Sequence, residues 1–177
     1  MSTKFKKNSR RRARARVDFG AEIERDRANG VLYEAWTDGS CDNIRTKAGG
    51  SGYIVLKDGE VIKSRSKGFL NTTNNRMELL AIISAVNSVP VGHSVLIHTD
   101  SQYCILALDG RDHKANADLI NLFHKVSKPL KQVYFEWVKG HAGNRYNEIA
   151  DDLAFSAYKD ICEKHNLEVH ERMQHTR

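Results

Sequence analysis

The sequence predicts an α/β fold, a mixed five-stranded sheet flanked by helices, with elements in the order βββαβααβα. Three observations carry this. Strand-like stretches and stretches with apolar residues at spacings of three and four alternate after the third strand. Asp58-Gly59, a strong two-residue hairpin signal, separates the second and third strands. A chain of 177 residues is long enough for one domain with an ordinary core and a modest appendage.

The elements follow in order. Residues 1–29 lack apolar periodicity and are read as a disordered basic arm, with at most a short polar helix around Phe19 to Ala28. Asn29-Gly30 marks a turn, and the domain is placed at residues 30–165. Strands are predicted over Val31 to Thr37, Gly52 to Lys57 and Glu60 to Leu70. Gly49-Gly50-Ser51-Gly52 reads as a turn entering the second strand, because no Gly-Lys-Ser/Thr follows to make a phosphate loop. Leu79, Ile82, Ile83 and Val86 give a helical period over Asn75 to Ser88, with Pro90 after its end. A buried strand at Val95 to Thr99, helices at Ser101 to Leu108 and Ala115 to Ser127, a strand at Val133 to Val138 and a helix at Tyr146 to His165 complete the set. Residues 166–177 are read as a frayed tail; His165, His170 and His175, five apart, do not share a helical face.

Composition narrows the class. With 40% hydrophobic and 28% charged residues, the chain is globular in type, and no stretch approaches the roughly 18 to 20 apolar residues that span a bilayer. Cys41, Cys104 and Cys162 form no C-x-x-C pair, which argues against a disulfide framework or cysteine zinc site and fits a reducing, cytoplasmic setting. Residues 1 to 30 hold ten basic and four acidic side chains, the whole of the net +6; the remainder has 18 of each. A neutral body with a basic arm suits nonspecific attraction to phosphate backbones, though a solubilising tail or an Arg-rich organellar presequence has the same composition.

Four acids stand where side chains can converge. Asp38 ends the first strand, Glu78 lies in the first turn of the first long helix, Asp100 ends the fourth strand and Asp151 sits in the last helix. Each has a bland alternative: Asp38-Gly39 as a turn, Asn75 with Glu78 as a capping box, Asp100 or Ser101 as a helix N-cap, Asp151 as one acid on a solvated face. Together they are harder to dismiss, since two of them terminate strands at the carboxyl edge where α/β domains bind ligands. Four clustered carboxylates repel one another unless cations neutralise them, and an oxygen-only donor set favours hard ions such as Mg²⁺ or Mn²⁺. Two such ions roughly 4 Å apart suit phosphoryl-transfer chemistry.

The segments Thr37-Asp38-Gly39-Ser40-Cys41, Thr72 to Leu79, Thr99-Asp100-Ser101-Gln102-Tyr103 and Trp137-Val138-Lys139-Gly140-His141-Ala142-Gly143 resemble, in order, the signature segments of type I ribonuclease H. The resemblance covers about residues 31 to 160 and implies a ribonuclease H-like fold. It also implies an endonuclease that cuts the RNA strand of an RNA/DNA hybrid, leaving 5′-phosphate and 3′-hydroxyl ends. On the same ground Asp38, Glu78, Asp100 and Asp151 would be the catalytic carboxylates, holding two Mg²⁺ ions with Mn²⁺ as a substitute. His141, in a Gly-flanked loop, would shuttle a proton; the alternative is a surface histidine. Asn74, Asn75 and Gln102 would contact bases and sugars in the hybrid's shallow minor groove, with Thr73 near a DNA phosphate.

Two segments depart from the family pattern. Leu108 to Lys114 is short and nearly neutral where many bacterial relatives carry a basic helix and loop that grips the hybrid. Asp42 to Lys47 replaces the usual Gly-Asn-Pro-Gly pattern, which puts a contact by Asn43 in doubt. The arm's eight basic residues between Lys4 and Arg16 are expected to replace the missing grip, or to dock a replication partner; a monomer is the expected state. The competing functions are a noncatalytic nucleic-acid-binding module, and a different metal nuclease or strand-transfer enzyme on the same fold.

Overall fold

The computed structural model describes residues 18–109 and 115–170; the expectations for the arm upstream of Asp18, for residues 110–114 and for residues 171–177 lie outside them. Strands β1 (Leu32–Cys41), β2 (Gly49–Lys57) and β3 (Glu60–Phe69) form an antiparallel meander. Strands β4 (Ser94–Thr99) and β5 (Gln132–Trp137) add in parallel on the other side of β1, giving the order β3-β2-β1-β4-β5. Asp58 and Gly59 both take positive φ, 52° and 82°, as the tightest hairpin turn between right-twisted strands requires.

Side chains alternate across a strand, so neighbours on β1 feed two cores. Ala35 joins Val55, Ile97 and the apolar side of helix α2 (Asn74–Val86), together with helices α3 (Gln102–Leu108) and α4 (Ala117–Ser127). Trp36 joins Ile54, Leu56 and Ala150 under helix α5 (Arg145–Lys164), which lies across β1, β2 and β3. β4, covered on both faces, is buried along its whole length. Ile54, Ile82 and Ile97 are fully buried, each contributing roughly 1.5–3 kcal/mol relative to exposure.

Helix α1 (Gly20–Ala28), the short polar helix, belongs to the folded body although the sequence reading assigned it to the arm. Ile23 packs on Leu32, Leu96 and Tyr134, and Asp26 is fully buried. The Asp26 carboxylate accepts hydrogen bonds from Ser94 Oγ (2.6 Å) and Tyr134 Oη (3.0 Å) and pairs with Lys131. One acid thereby ties α1 to the starts of β4 and β5, the sheet edge opposite Asp100.

Three further differences have local causes. Gly49 to Gly52 belong to β2 rather than to a turn, and α5 leaves no room for side chains at Gly50 and Gly52: a Cβ at Gly52 would lie 2.5 Å from Ala154 N. The first long helix begins at Asn74, capped by Thr73, whose Oγ1 accepts from Arg76 N (3.4 Å). Residues 166–170 are not frayed: Leu167 packs against Ala48, Tyr158 and Cys162, and His170 N donates to Tyr158 Oη (3.0 Å). No helix among the described residues is long and apolar enough to cross a membrane.

Candidate active site

The crevice opens where β1 and β4 part. Their parallel pairing ends at Trp36 and His98, so Asp38, two residues further along β1, and Asp100, just past β4, project from the carboxyl edge of adjacent strands. Ser101, not Asp100, caps α3 by accepting from Cys104 N (3.3 Å), which leaves the Asp100 carboxylate available. Trp137 Nε1 donates to Asp100 O (3.0 Å) and fixes the backbone there. Glu78 enters from the opposite side as the fifth residue of α2, one residue deeper than the sequence suggested. Gly39 permits this: a Cβ on it would lie 2.5 Å from Glu78 N.

One carboxylate oxygen from each of Asp38, Glu78 and Asp100 lies within 4.8 Å of the others. Asp151, on α5, flanks this triad and adds its charge to the field at all three. Burial and the charges of Glu78, Asp100 and Asp151 push Asp38 well above the ordinary carboxylate range, against a hydrogen bond from Gly39 N (2.7 Å). Burial and the Asp100 charge push Glu78 up to about 8. Asp100 is raised by burial, partly offset by the nearby His141. Glu78 Oε1 accepts from Asn74 Nδ2 (3.0 Å), but its buried Oε2 has no hydrogen-bond partner, the nearby Ser101 hydroxyl falling short of hydrogen-bond geometry. An orphaned carboxylate oxygen inside an all-oxygen, mutually repelling cluster fits a hard divalent cation.

His141 occupies the β5–α5 connection with φ 51° and a side chain 73% exposed; its Nδ1 lies 3.9 Å from Asp151 Oδ2. Gly140 rests against the Asp100 side chain, so this connection closes one wall of the crevice. Asn144 starts α5, accepting from Tyr146 N (3.0 Å) and Asn147 N (3.3 Å), and so sets the helix that carries Asp151.

The other expected site residues stand around the rim. Thr73, Asn75 and Gln102 are exposed at the starts of α2 and α3, while Asn74 is half-buried against Glu78. Asn43, doubtful in the sequence, accepts from Asn74 N (2.9 Å) and belongs to this rim. Sequence reasoning missed the supporting parts of the site. Trp137 stood inside a recognised motif, but nothing in its pattern tells that its indole holds the Asp100 carbonyl. Gly39 was read only as a turn glycine.

The fold and the site agree with comparison to known proteins. A family model described as RNase H matches residues 32–159. Ribonuclease HI of Vibrio parahaemolyticus is 39% identical over 146 residues, covering 74% of this chain and 92% of that protein. Ribonuclease HI of Synechocystis sp. is 35% identical over 139 residues, covering 71% and 86%, and ribonuclease H of Desulforamulus reducens is 37% identical over 138 residues, covering 70% and 86%. A match of this extent shows that this protein belongs to the ribonuclease H family, among its type HI members.

Proposed function

We propose that this chain hydrolyses the RNA strand of RNA/DNA hybrids with two divalent cations, Mg²⁺ in the cell, giving 5′-phosphate and 3′-hydroxyl ends. The observation that carries the reading is the convergence of Asp38, Glu78 and Asp100 around a buried oxygen without a partner, flanked by Asp151. These four carboxylates would hold the ions. When bound, such cations activate the attacking water and stabilise the leaving oxygen. The chain's own part is to place and balance charge. Asn74 orients Glu78, Trp137 and Gly140 fix Asp100, and Asp151 sits within reach of the His141 imidazole. His141 Nδ1 or Nε2 moves a proton to or from the departing group, and its exposure leaves the ring free to reach it.

Asn74, Asn75 and Gln102, at the starts of α2 and α3, would contact bases and sugars in the minor groove, where 2′-hydroxyls mark the RNA strand, and Thr73 would stand near a phosphate of the DNA strand. The arm's eight basic residues supply nonspecific attraction to the hybrid. Among the described residues all cysteines are free thiols, which supports a reducing, cytoplasmic setting, and the chain is taken to act as a monomer.

The test is cleavage of a labelled RNA strand alone, in an RNA/RNA duplex and in an RNA/DNA hybrid, with Mg²⁺, Mn²⁺ or EDTA, beside Asp100→Asn. Metal-dependent cutting of the hybrid alone, lost in the variant, is expected. Tight hybrid binding without cutting under either metal would leave a noncatalytic module in its place. His141→Ala should slow the reaction on the order of 10²-fold without abolishing it.

A further inference from the structure

The turn between β1 and β2 is held from two sides. Internally, Asp42 Oδ1 accepts from Ile44 N (3.1 Å) and Arg45 N (3.0 Å), and Oδ2 from Thr46 N (3.0 Å) and Thr46 Oγ1 (3.1 Å). Burial raises the Asp42 carboxyl, but these donors outweigh it and hold it at about 2. On the crevice side, Asn43 accepts from Asn74 N, and Asn74 donates to Glu78. The turn is thus two hydrogen bonds from the carboxylate cluster.

The other side is held by the chain that follows α5. Leu167 N donates to Cys162 O (2.9 Å), turning the backbone across the end of the helix, and Tyr158 Oη accepts from His170 N. The His170 ring then meets the turn: Arg45 Nη1 lies 2.9 Å from Nδ1, and Asp42 Oδ2 lies 3.7 Å from Nε2. For Nδ1 to accept, the proton must sit on Nε2, the tautomer that the facing carboxylate favours.

This contact restrains the Arg45 guanidinium without neutralising it. A guanidinium has five N–H donors, and a neutral imidazole occupies one of them. Among the described residues Arg45 makes no ion pair, and the residue is exposed. A long cation that is already ordered loses less side-chain entropy on binding an anion. It stands two residues from Asn43, the residue through which this turn meets the rim of the crevice.

We propose that Arg45 is a phosphate-contacting residue for the nucleic-acid substrate and that His170, at the end of the strap formed by residues 165–170, is its positioning residue. The assignment rests on the reading that the crevice takes an RNA/DNA hybrid. It gives this chain a specific cation on the rim where the neutral Leu108 to Lys114 stretch supplies little.

The test compares Arg45→Ala, Arg45→Lys, His170→Ala and the double variant in the full chain. Hybrid binding is read by fluorescence anisotropy in EDTA across a salt series, and KM and kcat with Mg²⁺. Arg45→Ala should weaken binding about five- to tenfold and lower the slope of log K against log salt by about 0.9, the value for one phosphate contact. Arg45→Lys should restore the slope while recovering only part of the affinity. His170→Ala should raise KM about two- to fivefold rather than lower kcat, and this effect should vanish in the Arg45→Ala background. An unchanged slope in Arg45→Ala overturns the assignment. So does a His170→Ala effect of equal size in both backgrounds, which would mark the strap as merely structural. Absence of hybrid cleavage by the parent chain would count against the hydrolytic reading alone, because the anisotropy series judges Arg45 without any cutting.

Discussion

Glu78 is a side chain costly to the fold, held at the centre of the acidic cluster. Its buried Oε2 has no donor, and its neighbours are acids. Replacing it by Gln removes the repulsion, so in EDTA at neutral pH Glu78→Gln should melt a few degrees above the parent, a gain of about 1 kcal/mol or more. The same change should erase the rise in Tm that Mg²⁺ or Mn²⁺ gives the parent, along with cleavage. A variant that melts lower in EDTA would mean that Asn74 and the helix, rather than the cation site, determine this position. At this scale the sequence was most legible for Asp38, Glu78 and Asp100, because each sits in a motif with several specified neighbours. It was least legible for His170 and Asn43, whose partners lie across the fold; Arg45 and His170 are 125 positions apart.

At the scale of elements, close approach is set by residues that lack a side chain. Gly39 brings α2 against β1, and Gly52 brings α5 against β2, so the two helices that carry Glu78 and Asp151 reach the sheet through glycines. Gly39→Ala should destabilise by about 1–3 kcal/mol through overpacking. It should also weaken cation binding, which a titration followed by Tm would detect; an alanine at the open hairpin position Gly59 meets no neighbour and should leave cation binding alone. The β2 glycines explain why this strand was read too short: Gly-Gly-Ser-Gly has the local signature of a turn, and only the packing of α5 makes it a strand. β1 carries a second element-scale device. Glu34 receives the ring of His98 (3.1 Å) and pairs with Arg27 of α1, and chiefly the His98 bond, opposed by burial and aided by Arg27, holds it at about 2 against an ordinary 4.5. A depressed acid contributes stability above its unfolded value and loses it as the pH falls through the folded one. Glu34→Gln should therefore melt below the parent at pH 6 and converge with it as the pH falls from about 4.5 to 2; a gap that persists to pH 2 would refute the linkage.

At the scale of the molecule, the five-stranded sheet separates two functions to its two ends. The carboxyl edge of β1 and β4 carries the crevice, and the opposite edge carries the α1 clamp. Asp26→Ala should destabilise by about 2 kcal/mol, because it leaves the buried Ser94 and Tyr134 hydroxyls without their acceptor. Activity per folded molecule should be retained, a combination that denaturant melts and specific activity together can check. This clamp was hidden in the sequence because a short polar helix with one decisive acid has no apolar period to read. From β1 onward the order of strands and helices was legible, since hairpin chemistry and periodicity are local. The clamp also has a practical consequence. β4 spans roughly 20 Å between the two edges, so the described chain enters the fold on the side facing away from the crevice. That makes the α1 edge a natural handle: a dye or a bead attached at Asn29, exposed at the end of α1, leaves the crevice pointing outward, and an immobilised form presents its working face to solution.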